Sequence, residues 1–102
     1  MIYELRTYTL YPGKVPEFLK IMEDGLPARE KHSKLGGFWF TDIGVLNQVV
    51  HLWPYEDLAH RAKVRKAADH DPAWQKFAST LHALIIKMEN KILTPADFSP
   101  LK

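Results

Sequence analysis

The sequence predicts an α+β domain in which one four-stranded antiparallel sheet carries helices. Three observations point there. Runs with a period of two and runs with a helical period follow one another as strand, helix, strand, strand, interrupted helix, strand. At 102 residues the chain has room for one hydrophobic core, not two. A composition of 46% hydrophobic and 25% charged residues is that of a globular domain rather than a disordered or membrane-embedded chain.

Residues 2–10 alternate and are rich in Tyr, Thr, Ile and Leu, which reads as a strand, and Tyr11, Pro12 and Gly13 supply the turn that ends it. From Lys14 the apolar positions Val15, Phe18, Leu19, Met22 and Leu26 keep helical spacing. Pro16 sits near the start, where its missing N–H is not needed, and Gly25 and Pro27 are expected to loosen or end the last turns. Gly36 to Ile43 and Gln48 to Trp53 form a strand pair joined by Gly44 to Asn47. After Pro54 the Ala-, Arg- and Lys-rich stretch from Glu56 to Ala68 reads as a helix with a weakly apolar face of Leu58, Ala62 and Val64. Asp71 before Pro72 is an N-cap followed by a first-turn proline, and Trp74, Phe77, Ala78 and Leu81 continue at helical spacing. Ala83 to Leu93 sets Leu84, Ile86, Met88 and Ile92 against Lys87, Glu89 and Lys91, a last strand with one polar face. The domain is thus expected over residues 1–93. Residues 94–102 form an extended arm whose Phe98 and Leu101 would dock on a surface, the partner's included.

This order is the split βαβ arrangement of a ferredoxin-like fold. Strands two and three carry large apolar groups on both faces, with Phe38 and Phe40 opposed to Trp39 and Ile43, and Val50 and Leu52 opposed to Val49 and Trp53. A sheet with neither face suited to water predicts that the face without helices is covered by a second copy, a two-fold homodimer with further stacking left open.

Composition excludes several functions. With no cysteine there are no disulfides, thiolate nucleophiles or iron–sulfur ligands. Fourteen Lys and Arg against twelve Asp and Glu give a net charge of +2, too little for a nucleic-acid footprint, and the run Arg61, Lys63, Arg65, Lys66 reads as solvated helix surface. No apolar stretch could span a bilayer, and the N-terminus lacks a leader pattern, which predicts a cytoplasmic protein without a membrane role. Phosphate loops, a nucleophile elbow and histidine pairs at metal spacing are missing, so no cofactor and no metal are expected.

The segments Ile2 to Tyr8 with Pro12-Gly13-Lys14, Gly37-Phe38-Trp39, Leu46 to Tyr55, Asp71-Pro72-Ala73-Trp74 and Phe98-Ser99-Pro100-Leu101 resemble the NIPSNAP family from end to end. The resemblance implies a dimeric α/β barrel, two ferredoxin-like sheets closed around an interior. It carries over no catalytic motif, because single-domain microbial members have no agreed reaction. More distant dimeric-barrel relatives include cofactor-free quinone-forming monooxygenases, haem-degrading oxygenases and small isomerases. A monooxygenase- or isomerase-like activity follows from them only by architecture.

Alternation places Glu4, Arg6 and Tyr8 on one face of the first strand and Tyr3, Leu5 and Thr7 on the other, the second set being expected under the helices. The charged set would then face the barrel interior. There Arg6 either pairs with Glu4 or holds an anionic or enolised ligand. His51, on a strand expected beside the first, would share that space with Arg6, with Tyr8 nearby and Trp53 and Phe38 or Trp39 as apolar wall. This suits proton abstraction from a carbon acid, the other reading being a histidine hydrogen-bonded in a packed core. The catalytic candidates are therefore His51, Arg6 and Tyr8, and the ligand-binding candidates Glu4, Phe38, Trp39 and Trp53. Two functions stay open: a homodimeric binder or cofactor-independent enzyme for a small apolar or anionic molecule, or an interaction and scaffold domain with a filled interior.

Overall fold

A computed structural model describes residues 1–102. The elements are β1 (Ile2–Leu10), α1 (Val15–Arg29), β2 (Gly37–Phe40), β3 (Gln48–Tyr55), α2 (Leu58–Asp69), α3 (Pro72–His82) and β4 (Ile85–Leu93). The strands make one antiparallel sheet in the order β2-β3-β1-β4, the ferredoxin-like arrangement.

Local chemistry explains most element ends. Asp57 accepts from the His60 N–H at 2.8 Å and Asp71 from the Ala73 N–H at 2.9 Å, so each carboxylate caps its helix and satisfies a donor that the first turn leaves free. β2 stops at Phe40, short of the expected Ile43, and residues 41–47 form the connection to β3. Asn47, at φ 62°, and Gly44, at φ 126°, turn the chain there, and no ladder partner remains for Ile43, which stands almost fully in solvent.

α1 does not loosen at Gly25 and Pro27 but continues to Arg29. Gly25 has a different role: a Cβ built on it would lie 2.7 Å from Cγ and 2.9 Å from Cβ of Phe77, so the missing side chain is what lets α3 approach α1. Gly25→Ala therefore sets a helix-propensity gain of about 1 kcal/mol against overpacking of about 1–3 kcal/mol. The crowded atoms lie near the Phe77 backbone and cannot swing away. The expected result is a net loss of about 1 kcal/mol in urea unfolding, and a stabilised variant would refute this account.

The faces of the sheet are the reverse of expectation. Glu4, Arg6, Tyr8 and Leu10 point toward the helices, Tyr8 meeting Phe18 of α1 edge to face, while Leu5, Thr7, Trp39, Val50 and Leu52 lie on the opposite face. The reason lies in α2. Arg61 and Arg65 turn inward from the run expected to be solvated and neutralise Glu4, which makes a carboxylate tolerable beneath a helix. The core is Leu10, Phe18, Met22, Val49, Trp53, Tyr55, Val64, Leu81 and Leu84 around that charge. In β4 a register shift opposite Thr9 and Leu10 pairs Ile85 with Leu10, so Ile85 rather than Ile86 faces the helices and Ile86 is exposed.

Candidate ligand-binding site

β1 and β3 are paired so that Arg6 stands opposite His51, Glu4 opposite Trp53 and Tyr8 opposite Val49. Above them α1, α2 and α3 leave a cavity of about 230 Å³. Its floor is Arg6, Tyr8, His51 and Trp53; Phe18, Met22 and Arg29 enter from α1, Arg65 and Asp69 from α2, Trp74, Ala78 and Leu81 from α3, and Ile85 and Met88 from β4.

Glu4 is fully buried beside the cavity and organises one end of it. Its Oε2 accepts from Arg61 Nη2 at 2.7 Å, Asn90 Nδ2 at 2.9 Å and Arg6 Nη1 at 3.1 Å, and its Oε1 has only Arg65 Nη1 at 3.8 Å. Burial alone would raise its pKa. The hydrogen bonds from Arg61 and Asn90 and the charges of Arg6 and Arg61 outweigh that and bring it down to about 2 from an ordinary 4.5. Glu4 is thus a structural counter-ion joining β1, α2 and β4, and Arg6, which also donates through Nε to the Tyr8 hydroxyl at 2.8 Å, is positioned by it.

His51 is 5% exposed. Phe38 stacks on its ring with centroids 4.9 Å apart, Tyr8 meets it edge-on at 4.8 Å, and Trp53 Nε1–H donates to its Nδ1 at 2.7 Å. An indole N–H only donates, so Nδ1 must be the unprotonated nitrogen and the proton of the neutral ring sits on Nε2. Burial, then the charges of Arg6, Arg29 and Arg65 opposed by Glu4, lowers the pKa of His51 from 6.5 to about 3. A ring with one nitrogen occupied by an indole and the other carrying a proton is a hydrogen-bond donor. In this geometry neither nitrogen presents the free lone pair that proton abstraction from a carbon acid would need. Its Nε2–H has no partner.

Of the other expected residues, Phe38 reaches the site only as the wall behind His51, and Trp39, half exposed on the far face beside Val50, is not part of it. Arg29 escaped the sequence reading. It is 4% exposed, with its guanidinium 4.3 Å from the Trp53 ring centroid, Nη1 donating to Ser33 Oγ at 3.1 Å and Nη2 to the Tyr55 hydroxyl at 3.3 Å, and no carboxylate pairs with it. Its signal was present: Phe18, Met22, Gly25 and Arg29 fall on one buried stripe of α1, where a cation is out of place.

The NIPSNAP family model matches residues 3–100. The chain is 43% identical over 94 residues to NipSnap homolog 3A of Homo sapiens, covering 90% of this chain and 38% of that protein. It is 40% identical over 101 residues to NipSnap homolog 1 of Danio rerio, covering 99% and 36%. It therefore spans less than two-fifths of the length of these relatives. Among solved structures, a NIPSNAP family protein with unknown function from Agrobacterium tumefaciens superposes with a TM-score of 0.96 at 42% identity, covering all of this chain and 94% of the other. An uncharacterized NIPSNAP domain protein from Burkholderia xenovorans gives 0.92 at 44% identity, covering 98% and 99%. A putative antibiotic biosynthesis monooxygenase from Nitrosomonas europaea shares the fold, with a TM-score of 0.71 at 8% identity over 93% and 98% of the two chains.

Proposed function

The chain belongs to the NIPSNAP family, and from that premise we propose that it is a homodimeric small-molecule-binding domain, each protomer holding one ligand between its sheet and its helices. The observation that carries this is the cavity itself. A densely packed interior leaves few voids larger than a water molecule, whereas this one, of about 230 Å³, joins apolar walls to buried, convergent polar groups, the combination typical of ligand sites. The second copy would cover the helix-free face of the sheet, where Leu5, Trp39, Val50 and Leu52 lie together, and would receive the arm of residues 94–102, whose Phe98 is 91% exposed. No helix is long and apolar enough to cross a membrane. The absence of cysteine removes any structural need for an oxidising compartment, in keeping with work in the cytoplasm.

Two measurements test the proposal. Light scattering should give about 24 kDa, twice the 11.8 kDa chain, and Val50→Asp should halve it; a monomeric wild type sinks the dimer. Ala78→Trp, which fills the cavity from α3, should keep the dimer yet abolish ligand density in crystals of protein grown without added ligand. A wild-type cavity closed by side chains in such crystals would leave the scaffold reading in its place.

A further inference from the structure

Resting on the small-molecule reading, we infer that the ligand is a small organic anion, its charged oxygens accepting from Arg29, Arg65 and the Nε2–H of His51 while its apolar body lies against Trp74, Met22 and Ile85.

Charge in the cavity is unbalanced. Three guanidinium groups, Arg6, Arg29 and Arg65, line the cavity, and the one acid lining it is Asp69, exposed at the end of α2. Glu4 beside them carries a single negative charge already shared by Arg6, Arg61 and, at longer range, Arg65. Nothing anionic remains for Arg29, which is held only by a serine hydroxyl, a phenol and an indole face. A guanidinium does not shed its proton, so burial without a counter-ion is a cost that an incoming anion would remove.

The second observation is independent of charge. His51 is nine-tenths buried, lines the cavity and has one unpartnered polar atom, a proton-bearing nitrogen that is itself shut off from solvent. A buried donor without an acceptor is expensive, and water or a ligand oxygen is what satisfies it. Both observations ask for an acceptor. Neither a cation nor an amine-headed molecule could use these groups, because guanidinium and the His51 N–H only donate. Carboxylate suits them best, since paired guanidinium N–H groups match its two oxygens. The same groups would also hold the enolate form of a ketone.

Benzoate and its neutral isostere benzamide, titrated at pH 7.5 and followed through the indole N–H signals of Trp53 and Trp74, test this. Benzoate should bind saturably and about tenfold or more tightly than benzamide, and Arg29→Gln should erase that preference. Arg65→Gln, at a more exposed position where folding is less at stake, should reduce it. The side-chain nitrogen spectrum of His51 should show the Nε2–H tautomer in the free protein, with the Nε2 proton moving downfield on adding benzoate. If benzamide binds as well as benzoate and Arg29→Gln leaves the ratio unchanged, the anion inference falls while the small-molecule reading stands. If neither probe perturbs the two indoles at millimolar concentration, both fall. An Nδ1–H tautomer in the free protein removes His51 from the set of donors.

Discussion

Glu4→Gln should cost about 3–5 kcal/mol of unfolding free energy, the usual penalty for removing one partner of a buried ion cluster. The glutamine keeps the shape and one acceptor, so the loss reports charge rather than packing. Arg6 and Arg61 would then face an amide whose NH₂ either points at them or wastes its acceptor, and Asn90 would lose an anionic partner at 2.9 Å. In a domain of this size such a loss lowers Tm by roughly 12 °C or more. A change of less than about 1 kcal/mol would mean that the arginines find solvent as good a partner as Glu4. The idea that this carboxylate holds β1, α2 and β4 together would then be wrong.

Between pH 7 and pH 4 the protein should lose about 3 kcal/mol of stability, chiefly through His51. A histidine held at about 3 in the fold and 6.5 when unfolded binds more protons in the unfolded chain at any pH between the two. Its contribution is therefore complete above pH 6.5 and is lost as pH falls toward 3. Glu4, lowered from 4.5 to about 2, acts in the same direction but begins later, losing its contribution below about pH 4.5. His51→Gln separates the two: the urea midpoint should become nearly flat from pH 6.5 to 4.5 and still fall below that. An unchanged slope in His51→Gln would show that the imidazole is not held neutral. The wild-type slope would then have to arise elsewhere in the protein.

The order of elements was legible because each had its own signal: alternation in β1, the Asp71-Pro72 cap before α3, and two β-rich runs before Pro54. Which face of β1 goes inward was not. Alternation defines two faces, and choosing the apolar one is sound only if the charged one lacks partners. Here the partners of Glu4 arrive from α2, fifty-seven residues on for Arg61, and from β4, eighty-six residues on for Asn90, distances over which a local pattern says nothing. The same blindness made Arg61 and Arg65 look like solvated surface. The Arg6–His51 neighbourhood could be read from strand order, and His51 and Trp53 share a face by parity alone. Their mutual hydrogen bond, which occupies Nδ1 and leaves a donor at Nε2, could not be read.

The sheet order also sets a timetable for synthesis. β1 is a central strand whose two neighbours come from later in the chain: β3 begins at Gln48, and β4, which closes the other edge, is complete only at Leu93. At common ribosomal speeds about 4–17 s pass between residue 10 and residue 93. During that time β1 has an open edge, and Glu4 gains its long-range donors only as Arg61 and then Asn90 are made. A nascent chain with an unpaired strand rich in Tyr, Thr and Leu is a template for wrong pairing, and the charges at Glu4 and Arg6 discourage such pairing until α2 and β4 arrive. The residues that neutralise each other in the finished protein would thus act as gatekeepers while it is being made.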